Sequence, residues 1–159
     1  MKFPLLLGRF CFLNAVYMLH IIDSTFIKYV LDIVTMIKGH TGMVKGVTWD
    51  PVGKYLASQS DDKTLRVWRT SDWQQETIVT EPFAECSGTT HVLRLNWSPD
   101  GHYVVSAHAM NNAGPVAKIL ERDGWKMKMD FVGHRKAVTC VVRTKSKCFV
   151  HLLRFMCLD

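Results

Sequence analysis

Val47-Thr48-Trp49-Asp50-Pro51-Val52-Gly53-Lys54-Tyr55-Leu56-Ala57-Ser58 and Leu95-Asn96-Trp97-Ser98-Pro99-Asp100-Gly101-His102-Tyr103-Val104-Val105-Ser106 carry one pattern twice. Trp, Pro, Gly, Tyr and Ser recur at a constant offset of 48 positions, from Trp49 and Trp97 onward. Five matches in register over twelve positions are hard to obtain by chance. Further out, Gly39-His40-Thr41-Gly42-Met43-Val44 opens one unit and Gly133-His134-Arg135-Lys136-Ala137-Val138 opens another, the two histidines lying 94 positions apart. An internal repeat therefore organises the middle of the chain.

Each copy makes local sense as β structure. Val44, Val47 and Trp49 lead into Asp50-Pro51-Val52-Gly53, where Pro and Gly punctuate a turn. Tyr55 to Ser58 runs back as a second strand, and Asp61-Asp62-Lys63 is a tight polar turn. Leu65, Val67 and Trp68 form the third strand, and Thr77 to Val79 the fourth. A helix is excluded because Pro, Gly and β-branched residues fall where it would need strong formers. Four short antiparallel strands in ~40–45 residues are one propeller blade.

These features resemble the WD-repeat family. The resemblance implies an all-β fold, a partial WD40 β-propeller of about two blades and the start of a third. The repeat region spans 36–143, with blades at about 36–81 and 82–131 and a third beginning at 132–143. Its defining residues are Gly39, Trp49, Pro51, Gly53, Trp97, Pro99, Gly101, Gly133 and His134. The segment 1–35 and the tail 144–159 lie outside the pattern, and helical and disordered readings both stand for them. The WD-repeat pattern also places His40, Ser58, Asp62 and Trp68 in one buried hydrogen-bonded set. An indole N–H, a hydroxyl, an imidazole and a carboxylate can satisfy one another there, where unpaired polar groups would cost roughly 1–3 kcal/mol each. Read as a hydrolase triad, Ser58, His40 and Asp62 fail, because the serine sits mid-strand rather than at a strained, exposed turn.

The middle unit departs from the pattern. Gly88 stands where the offset puts the histidine, with His91 nearby, and Asn111 or Asn112 replaces the turn aspartate. Leu120 takes the place of the tryptophan that ends the third strand. Ala109-Met110-Asn111-Asn112-Ala113-Gly114-Pro115 reads as a long surface loop, which makes Met110, Asn111 and Asn112 candidate partner contacts.

Four stretches are more specific than the generic repeat. They are Gly46 to Tyr55, Cys86 to Leu95, Ser106 to Asn112 and Asp130 to Thr139. Together they resemble the amino-terminal propeller of the histone-regulator (Hir, HIRA) family of nuclear histone chaperones, and the irregular middle unit belongs to that likeness. The resemblance covers Ile37 to Arg143, about two-thirds of the chain. It implies a nuclear docking module for other chaperone-complex subunits, notably of the ubinuclein type, with histones engaged indirectly. It further implies chromatin assembly outside replication and transcriptional regulation, including repression. The competing reading is a generic WD-repeat scaffold or adaptor outside chromatin.

Composition is compatible with this. The chain has 159 residues and a formal charge of +6, from 20 Lys and Arg against 14 Asp and Glu. Its basic residues form only a loose cluster from Lys126 to Lys147, so no direct nucleic-acid contact is expected. Five cysteines, an odd number without a C-x-x-C pair, suit a reducing compartment. Asn14, His20, Asp23 and Lys28 break the apolar run near the start before it reaches the ~18 residues of a membrane span. Cys140, Cys148, His151 and Cys157 match no zinc spacing. No phosphate loop or nucleophile elbow is present, so no catalytic residue, cofactor or small-molecule substrate is assigned. Because the family's pattern stops at both ends, the chain reads as a truncated or mispredicted gene product. Too few blades to close a ring leave strand edges that invite aggregation or self-association.

Overall fold

A computed structural model of the chain describes residues 9–12, 15–21, 29–86, 94–112, 114–133, 135, 136 and 138. They fall into two compact units, Met1–Gly39 and His40–Asp159. His134, Gly88, His91 and the tail 144–159 lie outside the described residues.

The first unit holds three antiparallel strands, β1 (Arg9–Phe12), β2 (Ala15–Ile21) and β3 (Tyr29–Met36), in the order β1-β2-β3. Arg9 pairs with Met18, and Ile21 with Tyr29. The helical and disordered readings of 1–35 are corrected over these strands. Val16-Tyr17, Tyr29-Val30 and Ile33-Val34-Thr35 are β-branched and aromatic, residues that lose rotamer freedom in a helix and suit a pleated sheet.

The second unit contains two four-stranded antiparallel sheets. In one, β4 (Val44–Trp49), β5 (Tyr55–Ser60), β6 (Leu65–Arg69) and β7 (Gln75–Val79) pair in chain order. A short 3-10 helix at Glu81–Phe83 follows. In the other, β8 (Leu95–Trp97), β9 (Tyr103–Asn111), β10 (Gly114–Glu121) and β11 (Lys126–Phe131) pair in the same way.

The repeated Pro–x–Gly element makes the same turn in both sheets. Gly53 N–H donates to the Asp50 carbonyl at 2.8 Å, and Gly101 N–H to the Ser98 carbonyl at 3.0 Å. Both glycines have positive φ, 78° and 72°, which a side chain resists. The Asp50 carboxylate also accepts the N–H groups of Val52 and Lys54, whereas Ser98 Oγ and the Asp100 carboxylate accept those of Tyr103 and His102.

The long loop read at Ala109–Pro115 is corrected. Ala109 to Asn111 belong to β9, and Gly114 and Pro115 to β10, with Asn111 paired to Gly114. Turn-forming residues suggested a loop, but packing decides otherwise. Ala109 is buried, Met110 packs on the core, and Asn111 Nδ2 donates to Asp130 Oδ2 at 2.9 Å.

The main core lies between the two sheets. Ala57, Leu65 and Val67 from one meet Leu95, Trp97, Val104, Val116 and Leu120 from the other, with Phe83 and Cys86 from the connection between them. Tyr55, Trp97 and Trp125 pack ring on ring, with Tyr55 and Trp125 centroids 5.1 Å apart. On the opposite face of the second sheet, Val105, Ala107, Ala117 and Ile119 are closed off by Val138 from the start of the third repeat.

At Gly101 a Cβ would lie 2.9 Å from Asp50 Oδ1 on the neighbouring sheet, on a backbone already at positive φ. Gly101→Ala should therefore cost roughly 1–3 kcal/mol. Urea unfolding monitored by tryptophan fluorescence would show a lower midpoint, and an unchanged midpoint would contradict this account of the turn.

Candidate functional site

Two features of the second unit answer to the sequence-derived residues: a buried polar chain inside the first blade and a groove at the seam between the blades.

The polar chain starts at Trp68, whose indole Nε1–H donates to Ser58 Oγ at 2.8 Å. Ser58 Oγ lies 2.8 Å from His40 Nε2, and His40 Nδ1 lies 2.9 Å from Asp62 Oδ2. An ionised carboxylate only accepts, so Nδ1 carries the imidazole proton and Nε2 accepts from the serine hydroxyl. Asp62 ends the chain. It also receives the Thr41 and Thr64 N–H groups at 3.0 Å each and the Thr64 hydroxyl at 2.7 Å. His40 and Asp62 side chains are 3% and 6% exposed, so these bonds have little competition from water.

Burial lowers the His40 pKa below its ordinary value of 6.5, outweighing the hydrogen bond that His40 donates to Asp62, and the ring is neutral at pH 7. Burial pushes Asp62 the other way, but the bonds from Thr64, His40 and Thr41 prevail and bring its carboxyl from 3.8 down to about 2.

The connectivity is that of a Ser–His–Asp triad, but the accessibility is not. Ser58 is 5% exposed in the middle of β5, and its oxygen already accepts the Trp68 indole proton. A substrate carbonyl has no path to it, so the chain acts as internal cohesion.

Among the described residues, the second blade shows no such chain. The register still puts Leu120 in the tryptophan's place, because Trp68 pairs with Leu56 and Leu120 with Val104, 48 positions later. Ser106, the equivalent of Ser58, turns to the other blade and donates to Gln59 Oε1 at 2.8 Å. Gln59 is 2% exposed and was not singled out from the sequence, since its partner lies 47 residues away. Trp97 Nε1 donating to the Thr48 carbonyl and Trp125 Nε1 donating to Glu76 also cross the seam.

The groove has a volume of about 670 Å³. Glu81, Pro82 and Glu85 line one side, and Met110, Asn111, Asn112, Lys118 and Met127 the other. The three candidate partner contacts therefore meet in one place, with Asn112 exposed and Met110 and Asn111 half-buried. Of the repeat-defining residues, Trp49 ends β4, Trp97 ends β8, and Pro51, Gly53, Pro99 and Gly101 form the turns that follow. Gly39 precedes the polar chain, and Gly133 has φ +114° just after β11.

Among the described residues, no group of His, Cys, Asp or Glu could hold a metal ion. No described helix is long and apolar enough to cross a membrane. Cys86 is buried, and burial raises its thiol pKa. Cys140, Cys148, His151 and Cys157 lie outside the described residues.

The family model for the WD domain, G-beta repeat, matches residues 31–69 and 81–112. Protein HIRA from Gallus gallus is 71% identical over 159 aligned residues, covering 73% of this chain and 16% of that protein. Protein HIRA from Homo sapiens is 70% identical with the same coverage of both. The chain belongs to the HIRA family of WD-repeat proteins. Protein HIR1 from Cryptococcus neoformans is 46% identical over 99 residues, covering 62% of this chain and 11% of that protein. The chain thus spans about a sixth of the length of the HIRA relatives it matches. Among solved structures, the RRP9 WD40 repeats superpose with a TM-score of 0.51 at 20% identity, over 66% of this chain and 29% of that one. U3-55K superposes at 0.52 and 21% identity, over 66% and 30%. Both matches support the partial propeller as a fold.

The polar chain makes stability depend on pH in a defined direction. His40 binds a proton more readily in the unfolded chain, so its contribution is complete above pH 6.5 and declines as pH falls below it. Asp62 adds a loss of the same sign between 3.8 and about 2. Urea midpoints should therefore fall on acidification from pH 7 to 5, and His40→Gln should remove most of that slope. A flat wild-type profile would contradict the neutral buried imidazole.

Proposed function

We propose that the chain serves as a protein-docking module of a histone chaperone complex, acting in the nucleus in replication-independent chromatin assembly and transcriptional regulation. The observation that carries this reading is the 70–71% identity to proteins named HIRA over 73% of the chain. The partner expected from the family resemblance is a complex subunit of the ubinuclein type, with histones reached through that subunit. The geometry is compatible with docking: the two packed sheets present a groove at their seam. WD-repeat blades serve such work because a stiff scaffold holds connecting segments in fixed positions.

Co-precipitation of the tagged full 159-residue chain with a ubinuclein-type subunit tests the proposal. Retention of that subunit above a tag-only control is the expected result. No retention, where the longer HIRA relative captures the same subunit, would remove the docking function and leave the family relationship.

A further inference from the structure

The seam groove combines features that the stability of the fold does not require. Its outer wall carries Glu81 and Glu85, one on each side of Phe83, which is 1% exposed and anchored in the main core. The wall is held in place from below. Lys63 Nζ donates to the Ala84 carbonyl at 2.8 Å, and the Cys86 thiol donates to the His108 carbonyl at 2.8 Å. Both glutamates are exposed, and among the described residues no cation lies within ion-pair distance of either carboxylate.

The opposite wall is electrically closed. Lys118 Nζ lies 2.7 Å from Asp130 Oδ1, and Asn111 Nδ2 donates to the same carboxylate. Among the described residues, the groove therefore presents two carboxylates outside any ion pair, on a chain whose net charge is +6. Each wall also carries apolar side chains: Pro82 on one is buried, and Met110 and Met127 on the other pack against the core while still lining the groove. Methionine is polarizable and adapts its rotamers to the side chain it meets. At the tip of the β9–β10 hairpin, the exposed Asn112 offers both an amide donor and an acceptor.

We infer that this groove takes an extended peptide segment of a partner protein, with an apolar side chain seated against Met110 and Met127 and flanking lysine or arginine residues on Glu81 and Glu85. The inference rests on the docking function proposed above and specifies the chemistry of its ligand. A cationic flank gains the two carboxylates, and an acidic flank is repelled by them. The apolar centre adds surface burial against the two methionines. The groove volume of about 670 Å³ falls in the ~300–1,000 Å³ range of ligand-sized clefts, so it accommodates a short segment rather than a whole domain. The wall is anchored before any ligand arrives, which reduces the ordering cost of binding.

The test is an array of synthetic nonapeptides probed with the tagged full chain at low ionic strength. The central residue is leucine, isoleucine, methionine, phenylalanine or serine, and the flanks are basic, acidic or neutral. Peptides with an apolar centre and basic flanks should retain the chain at least about tenfold better than their acidic-flank counterparts. Glu81→Lys/Glu85→Lys should abolish or invert that preference. Asp123→Lys, an exposed change in the β10–β11 turn away from the groove, should leave it intact. Matching circular dichroism spectra and unfolding midpoints for the variants exclude misfolding as the cause. An absent flank preference, equal retention of serine-centred peptides, or a preference that survives E81K/E85K overturns the inference. Loss of ubinuclein-type capture with an intact peptide preference would instead remove the docking function and keep the groove.

Discussion

Each blade is a four-stranded sheet whose apolar face must be covered by another element. In this chain the constraint is met by setting Leu65 and Val67 of one sheet against Trp97, Val104 and Leu120 of the next, with Phe83 filling the connection. Buried apolar area of this kind is the main favourable term in folding. The remaining features follow from it. The Pro–x–Gly turns return strands at the right spacing, Gln59 and Ser106 satisfy each other across the seam, and Arg122 reaches both the Tyr55 ring at 4.7 Å and the Asp50 carboxylate at 3.7 Å. The groove is the outer margin of the same seam, so the candidate binding surface exists only where the two sheets meet.

The two blades stabilise their interiors differently. The first buries a polar chain from Trp68 through Ser58 and His40 to Asp62, and its members are satisfied by one another. The second replaces the tryptophan with Leu120 and sends its serine to the neighbouring blade. A buried hydroxyl needs a partner but not a particular one. That is why the second blade tolerates the loss of the set that gives the first its signature.

Much of this was legible from local pattern. Trp49, Pro51 and Gly53, and again Trp97, Pro99 and Gly101, fix where strands end, because turn chemistry is local and punctuated by few residue types. Strands β4 to β7 fall where the sequence puts them, with ends longer by up to two residues. Three things were not legible. Strands β1 to β3 carry no repeat signature, and their apolar runs fit several structures. The β9–β10 hairpin reads as a loop from its Asn, Gly and Pro residues, yet it is paired because Asp130, some twenty residues away, collects Asn111 and Lys118. Gln59 and the Glu81–Glu85 wall acquire meaning only through neighbours that the chain brings from far along its length.

The central claim is that the two blades of the second unit form one cooperative body around a shared core. Native-state hydrogen exchange of the full chain, followed amide by amide under increasing denaturant, tests it most directly. The account predicts that the central amides of β5, β6, β9 and β10 converge on a single opening free energy. Opening of β9 and β10 at a markedly lower free energy, with β5 and β6 still protected, would contradict it.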